Sequence, residues 1–563
     1  METIPAWPPI PWALEQRSFN HNKCVKMKTS KIFNILLSAT LLSLTSCEKF
    51  LDKTDPTATD FVEFFSTEAD IQRVVYSSYL DVFSNTANSA AVRSNIFYME
   101  DGKSDNAYSR LEGDHHQSIA NGNLNSNTEA VYYYYNLHMK HLGRLNTFIA
   151  NIDVPYVEDE SIRQKYKGIL EALRCWHYFK LTSRYANVPF FLEPADLSTA
   201  LQPAKSKEEI LETLFPLAEN IANSLPDDTY STNGYMFNKY SFKALIMRYA
   251  LFNGRYELAA RLAKEVMDSN NYMLYPNYGD LFNYNGHRNN NEFIIRFNKE
   301  SHPSAATYSF THLAPQSKTG SGQSYLVPVK SLVDSYWTLQ GRPIDQCPLH
   351  SKEEYELNPK LNRDPRLAAS IICNGDTFNG EVIDIYDPTS TYYYESARAG
   401  KSGYWFRKFV DPADYSRASG DMDFGIIRYA EVLLTYAEAK IMLNDVDDLA
   451  KQCINDVRRR AGLDMNEADV TLTNKTQQEW IDLIRNERRI EFAAEGLRYD
   501  DILRWKIAET VLNQPALGNT RLVNGKMESL KIEDRTFQPY NYVWPFHENS
   551  LKVEPGLTQN PGY

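Results

Sequence analysis

Cysteine is scarce in this chain: six among 563 residues, with no two in a C-x-x-C spacing. A disulfide-knitted scaffold is therefore excluded, as are the usual thiolate zinc sites. One or two bridges among Cys175, Cys347, Cys373 and Cys453 stay open. Long apolar runs are missing too. The most marked, at 32–44, is interrupted by Asn34, Ser38, Thr40 and Ser43, and falls short of the ~20 apolar residues that a bilayer-crossing helix needs. Positive charge is in deficit, with 60 Lys and Arg against 72 Asp and Glu and a net charge of −12. Such a chain repels phosphate backbones, which excludes nucleic acid as a partner. Catalytic signatures are lacking as well. His138 and His141 belong to no H-E-x-x-H, and Gly320-Ser321-Gly322-Gln323-Ser324 is neither a nucleophile elbow nor a phosphate loop. No nucleophile stands in an identifiable pattern with a base.

The short run at 32–44 has its own logic. Lys26, Lys28 and Lys31 precede it, and Leu44-Thr45-Ser46-Cys47 follows. A positive flank, a short apolar core, small residues and a cysteine read as an export signal ending in a lipobox, with Cys47 as the lipidated first residue of the mature chain. Met27 is the better start for that signal, so 1–26 reads as a mis-assigned start or an unstructured leader, 27–46 as the signal peptide and 47–66 as a lipidated tether. Several acyl chains on one cysteine anchor firmly where a single chain does not.

Beyond the tether the periodicity is helical. Apolar residues at 3–4 spacing predict helices over 68–82, 129–152, 159–184 and 207–224, the last kinked at Pro216. The stretch 238–276 reads as helix, turn at Asn253-Gly254, helix, with Ala244, Ala250, Ala259, Ala260 and Ala263 where two helices must approach. It resembles a tetratricopeptide-like (TPR-like) unit, a helix pair that buries its face only by stacking on neighbours. Similar pairs recur at 428–463 and 477–509. Between them, 276–427 is rich in Gly, Pro, Asn and aromatics, with short strands expected at 292–297 and 367–373. The organisation is a helical part over 67–275, an irregular insert over 276–427 and a second helical part over 428–563, together one mainly α body. A long irregular stretch inside a compact chain is usually functional.

Several segments, in order along the chain, carry a likeness: CEKFLD after the lipobox, Ser104-Asp105-Asn106, ALRCWHYFKLTSRYANVPFF at 172–191, GRPID, NRDPRL, RYAEVLLTYAEAK, INDVRRRAGL, RNERRIEFAAEGLRYDDILRW at 485–505 and the terminal QNPGY. Together they resemble the SusD/RagB family of surface lipoproteins. The resemblance implies a right-handed TPR-like α-superhelix whose loop-rich insert holds the ligand. It also implies a lipid-anchored place at the cell surface in the outer membrane. The implied partners are an oligosaccharide or related nutrient and a SusC-like TonB-dependent transporter that receives it, with no catalysis and no cofactor. A peptide- or glycopeptide-binding receptor and, behind it, a glycoside hydrolase are the alternatives.

With 37 tyrosines and 8 tryptophans, the chain has flat faces for the C–H side of a sugar ring and polar tips for its hydroxyl rim. Loop aromatics are the candidate platforms: Tyr98 and Tyr108, Tyr308 and Tyr325, and Tyr392, Tyr393, Tyr394, Tyr404 and Trp405. The family's use of the segment after the first helix and of the insert implies Asp105, Asn106, Tyr108, Tyr308 and Tyr325. Glu487, Glu491 and Glu495 share one helix face, but the arginines crowding them point to structural ion pairs. Asp421 and Asp423, near Asp411 and Asp414, form a weak donor set for a structural Ca²⁺.

Overall fold

A computed structural model describes residues 67–82, 97–111, 115–153, 159–196, 198–228, 236–297, 309–316, 322–416 and 420–563. Residues 64–563 form one compact unit. The signal, the tether, Cys47 and Tyr308 lie outside the described residues.

The long helices are numbered α1 to α10. α1 (Glu68–Val82) buries Ile71, Val74, Val75 and Tyr79 and packs on α3. α2 (Glu129–Asn151) and α3 (Glu160–Thr182) lie along each other, and Asp159 caps α3 by accepting from the Ser161 amide. α4 (Lys207–Ser224) opens on a reciprocal Ser206–Glu209 capping box and runs unbroken through Pro216. Such a box satisfies two amides that the first helical turn leaves unpaired. α5 (Lys239–Phe252) and α6 (Tyr256–Asp268) are the anticipated pair. Ala244, Ala250, Ala259 and Ala263 are wholly buried between them and their neighbours, and Gly254 takes the left-handed conformation (φ 70°) at the turn.

α5 is buried on nearly every side because α4, α6 and α7 (Tyr429–Met442) all pack on it. α7 in turn carries α8 (Asp448–Ala461) and α9 (Gln477–Glu491), and α10 (Arg498–Arg504) returns to α5. The stacked pairs thus share one frame. Among the described residues no helix is long and apolar enough to cross a membrane.

Strands serve as short antiparallel clips. β1 (Ala107–Ser109) pairs with β3 (Leu326–Pro328), β2 (Phe293–Phe297) with β6 (Phe424–Arg428), and β4 (Ile371–Ile372) with β5 (Trp405–Phe406). Two expectations need correcting. The strand anticipated over 367–373 is a short helix, Pro365–Ser370, followed by β4; Asp364 caps it and Pro365 fits its first turn, so the local start signal outweighs the apolar run. The hairpin of β7 (Ala516–Val523) and β8 (Lys526–Glu533) was not anticipated. Its signal was present: Asn524-Gly525 supplies two successive positive φ angles (51° and 78°), which is what a tight hairpin turn demands.

The insert is also more packed than its composition suggests. Phe282, Phe293, Phe297, Phe310, Tyr336, Trp405, Phe406, Phe409 and Phe424 are buried in one cluster with Tyr98 and Tyr108. Lacking long helices, this segment hides its large side chains against one another. Cys175, Cys347, Cys373 and Cys453 are all buried and free, so no bridge links them.

A buried ionic network joins the insert to α7–α10. Arg366 binds Asp364, Glu487 and Glu491, while Arg458 binds Glu487. Arg428 binds Glu292, Glu491 and Glu495, and Arg460 reaches Glu292 and Glu491. Burial works against the charged form of Glu491, but Arg460, Arg428 and Arg366 outweigh it and hold its pKa well below the carboxylate range. Glu487, lowered likewise by Arg366 and Arg458 against its burial, and Glu491 are therefore structural anions; α9 ends at Glu491, so Glu495 does not share its face as expected but lies in the turn beyond, bound by Arg428 and Lys408.

Candidate functional site

The residues anticipated after the first helix are placed together, but inside the frame. Asp105 is 6% exposed, and Arg498 binds both of its carboxylate oxygens at 2.8 and 2.9 Å. Burial opposes its charge; Arg489 and Arg498 overcome that and lower its pKa. Asn106, fully buried, donates to Asp101 and accepts from Arg489. Tyr108 is buried within β1 opposite Val327.

The two insert aromatics at 404 and 405 are likewise corrected. Tyr404 is buried, and Trp405 is wholly enclosed, its indole N–H donating to Ser324 Oγ at 2.9 Å. Trp405, on β5, and Tyr404, just before it, both pack into the buried cluster rather than facing solvent. Tyr325 is half-buried: it stacks on His312 with centroids 5.5 Å apart, and the Arg110 guanidinium lies 5.0 Å from its ring. Among the described residues no group of three or more His, Cys, Asp or Glu is placed to hold a metal ion. Asp423 faces Arg288 and Arg296, and Asp421 faces Arg288, so the donor set considered for Ca²⁺ is turned to arginines.

What the insert does present outward is a group of tyrosines at 386–394. The loop is closed by the Tyr394 amide donating to the Ile385 carbonyl, and Asp384 and Asp387 fix its turns by accepting from the amides of Tyr386 and Thr389. Tyr392 points inward and donates to Glu381. Tyr386, Tyr393 and Tyr394 remain partly exposed. Their centroids lie 6.0 Å apart for Tyr386–Tyr394 and 5.1 Å for Tyr393–Tyr394, with the planes steeply inclined.

The hairpin completes this surface. Asn519 on β7 accepts from Tyr386 Oη at 2.6 Å, and Arg521, two residues on, lies 4.9 Å from the Tyr386 centroid and 5.8 Å from that of Tyr394. Residues two apart share one side of a strand. Glu395 accepts from both Tyr393 and Tyr394. These hydrogen bonds to Glu395 push the Tyr393 phenol up to about 12, and burial does the same for Tyr386. All three rings are thus neutral hydrogen-bonding groups, and Arg521 stands against two of them, Tyr386 and Tyr394. Tyr393 and Tyr394 were among the candidate platforms; Tyr386, Asn519 and Arg521 were not, and the Asn-Gly turn that delivers the last two was the signal that pointed to them.

The arrangement offers apolar ring faces, phenolic tips, an amide, a carboxylate and a guanidinium within one surface. It holds no paired carboxylates of opposite protonation and no activated nucleophile. Such a surface can grip a polyhydroxylated ligand.

Comparison with known proteins follows the same line. Residues 291–563 match the SusD family model. The chain is similar to SusD-like protein P38 of Formosa agariphila, 25% identical over 94% of this chain and 98% of that protein. In fold it is similar to a SusD-like carbohydrate-binding protein of Bacteroides fragilis, with a TM-score of 0.78, 24% identity and coverage of 88% and 100% of the two chains. A laminarin-binding SusD-like protein matches with a TM-score of 0.64, 21% identity and coverage of 88% and 99%.

Proposed function

This chain is a SusD-like protein, and from that premise we propose that it is a surface lipoprotein that binds a glycan or related nutrient, leaves it uncut, and passes it to a TonB-dependent outer-membrane transporter. The observation that carries the binding role is the partly exposed group of Tyr386, Tyr393 and Tyr394, with Arg521 against Tyr386 and Tyr394. A sugar ring lays its C–H face on such rings and its hydroxyl rim on phenols, amide and carboxylate. The saccharides bound by two of the similar proteins support the same class of ligand here.

Two features support a role without catalysis. Glu487 and Glu491 are held ionised by arginines, so neither stores a proton for a leaving group. Asp101, whose carboxyl burial raises to about 6, is fully enclosed and accepts from the Ala494 amide and Asn106. The anchor rests on the lipobox cysteine Cys47 and its acyl chains, palmitate among them, and transfer to the transporter rests on the family.

The test is calorimetry with a panel of oligosaccharides against the protein and its Tyr393→Ala/Tyr394→Ala variant. At least one oligosaccharide binds, and the variant weakens it by at least about tenfold, the usual scale for truncating a tyrosine anchor. Unchanged binding in the variant removes this surface from the account. New reducing ends after long incubation would overturn the non-catalytic reading, and capture of peptides in place of saccharides would favour a peptide receptor. Labelled palmitate is incorporated by the native sequence and not by Cys47→Ala.

A further inference from the structure

A second cavity, of about 630 Å³, opens between the Lys330–Ser335 helix, α9 and the start of β7. Its volume lies in the range that small-molecule ligands fill. Arg489 forms one end. Its Nε donates to Asn106 Oδ1 at 2.9 Å, and its Nη2 contacts the Asp105 carboxylate at 2.9 Å and Ser331 Oγ at 3.1 Å. Its Nη2 also donates to the Asp105 carbonyl at 3.2 Å, so Nη1, which has no hydrogen-bond partner and is not enclosed, is the open donor on this guanidinium.

Two guanidiniums meet at that end. Asp105 is already held through both oxygens by Arg498, so one carboxylate serves two guanidiniums. The other acids of the cavity are engaged as well: Lys330 holds Asp334 at 2.5 Å and Glu356 at 3.2 Å, and Lys352 stands 3.6 Å from Glu356. Burial pulls Arg489 down to about 10; Arg498 adds to the effect, while Asp105, Asp101 and Asp334 oppose it. The facing wall is different in kind: Val511, Pro515 and Leu517 line it, with Gln514 at its edge.

From the open Nη1 of Arg489 and the apolar wall, we infer that this cavity binds a small organic carboxylate. The carboxylate sits on Arg489 beside Ser331, and the body of the ligand lies against Val511, Pro515 and Leu517. A phosphate dianion would set more negative charge beside Asp105, Asp334 and Glu356. A carboxylate oxygen can accept from Nη1 in a charge-assisted hydrogen bond. The inference does not depend on the tyrosine surface.

The probes are hexanoate, benzoate and glucuronate, each beside its neutral counterpart hexanol, benzyl alcohol and glucose, titrated calorimetrically into the full-length protein in detergent. At least one carboxylate is expected to bind one to one, roughly tenfold or more tighter than its counterpart. Arg489→Lys should weaken it. Because that variant disturbs Asp105 and could unfold the protein, Gln514→Trp provides the second test. It fills the cavity edge from an exposed position, should abolish carboxylate binding and should leave the melting temperature unchanged. The Tyr393→Ala/Tyr394→Ala variant should bind the carboxylate as the native protein does. If no carboxylate binds at millimolar concentration, if acid and neutral counterpart bind alike, or if a folded Gln514→Trp protein binds unchanged, the inference is wrong.

Discussion

Arg428 grips two acids of the C-terminal part at once: its Nη1 lies 2.6 Å from Glu491 and its Nε 2.7 Å from Glu495, while its Nη2 donates to the Glu491 carbonyl at 2.9 Å. It ends β6 and precedes α7, whereas Glu491 ends α9. One wholly buried side chain therefore ties the insert's sheet to the last helices. Arg428→Leu is expected to destabilise the protein by about 3–5 kcal/mol, the scale for stranding buried charges by removing one partner. Urea unfolding followed by tryptophan fluorescence would measure it.

The tyrosine surface depends on the hairpin. Gly525 sits at φ 78°, where a β-branched residue is strained. Gly525→Val should loosen the turn and let Asn519 and Arg521 drift from Tyr386, lowering saccharide affinity severalfold while the frame keeps its melting temperature. Arg521→Ala removes the cation against Tyr386 and Tyr394 directly and should weaken binding by a similar amount. Calorimetry beside a thermal melt separates these effects from unfolding.

A histidine group sets the response to mild acid. His138 on α2 and His177 on α3 share a hydrogen bond between Nδ1 atoms at 2.8 Å, and the His141 ring lies 5.5 Å from His177. Burial first, then neighbouring positive charge, lowers all three, with His141 at about 4. Between about pH 4 and pH 6.5 the unfolded chain thus binds more protons here than the folded one. The stability tied to neutral imidazoles is complete above pH 6.5 and declines as pH falls through that window. The urea midpoint should drop from pH 7.5 to pH 5, and His141→Leu should flatten the drop.

Asp101 works in the opposite sense. Burial raises its carboxyl to about 6, so the folded state prefers the protonated form and loses stability as pH rises from about 4 to about 6. Asp101→Asn imitates the protonated acid. It should be more stable than the native protein at pH 7.5, by on the order of 3 kcal/mol for a shift of about two units, and no different near pH 4. An equal gain at both pH values would mean that the carboxyl does not titrate as described.

Helix positions were legible in the sequence because a 3–4 spacing of apolar residues is a local property. α1 and α4 run over the stretches their periodicity predicted, and the ion-paired role of Glu487 and Glu491 could be read from the arginines around them. The surface was legible only in part. Tyr392, Tyr393 and Tyr394 are consecutive, yet the first is buried and the other two are not. No regular period decides that; the loop closure at Ile385 does. Tyr404 and Trp405 looked like loop rings because their neighbours are Gly and Ser, but Trp405 pairs within β5 and both rings are enclosed in the insert's buried cluster. Asp105 looked available until Arg489 and Arg498, from the other end of the chain, claimed it.

The four enclosed thiols carry a last consequence. Burial pushes those of Cys175, Cys373 and Cys453 up to about 12, so they hold few thiolates and scarcely react. Since no cross-link joins the four, the described body owes none of its firmness to a bond among them that a reductant could open.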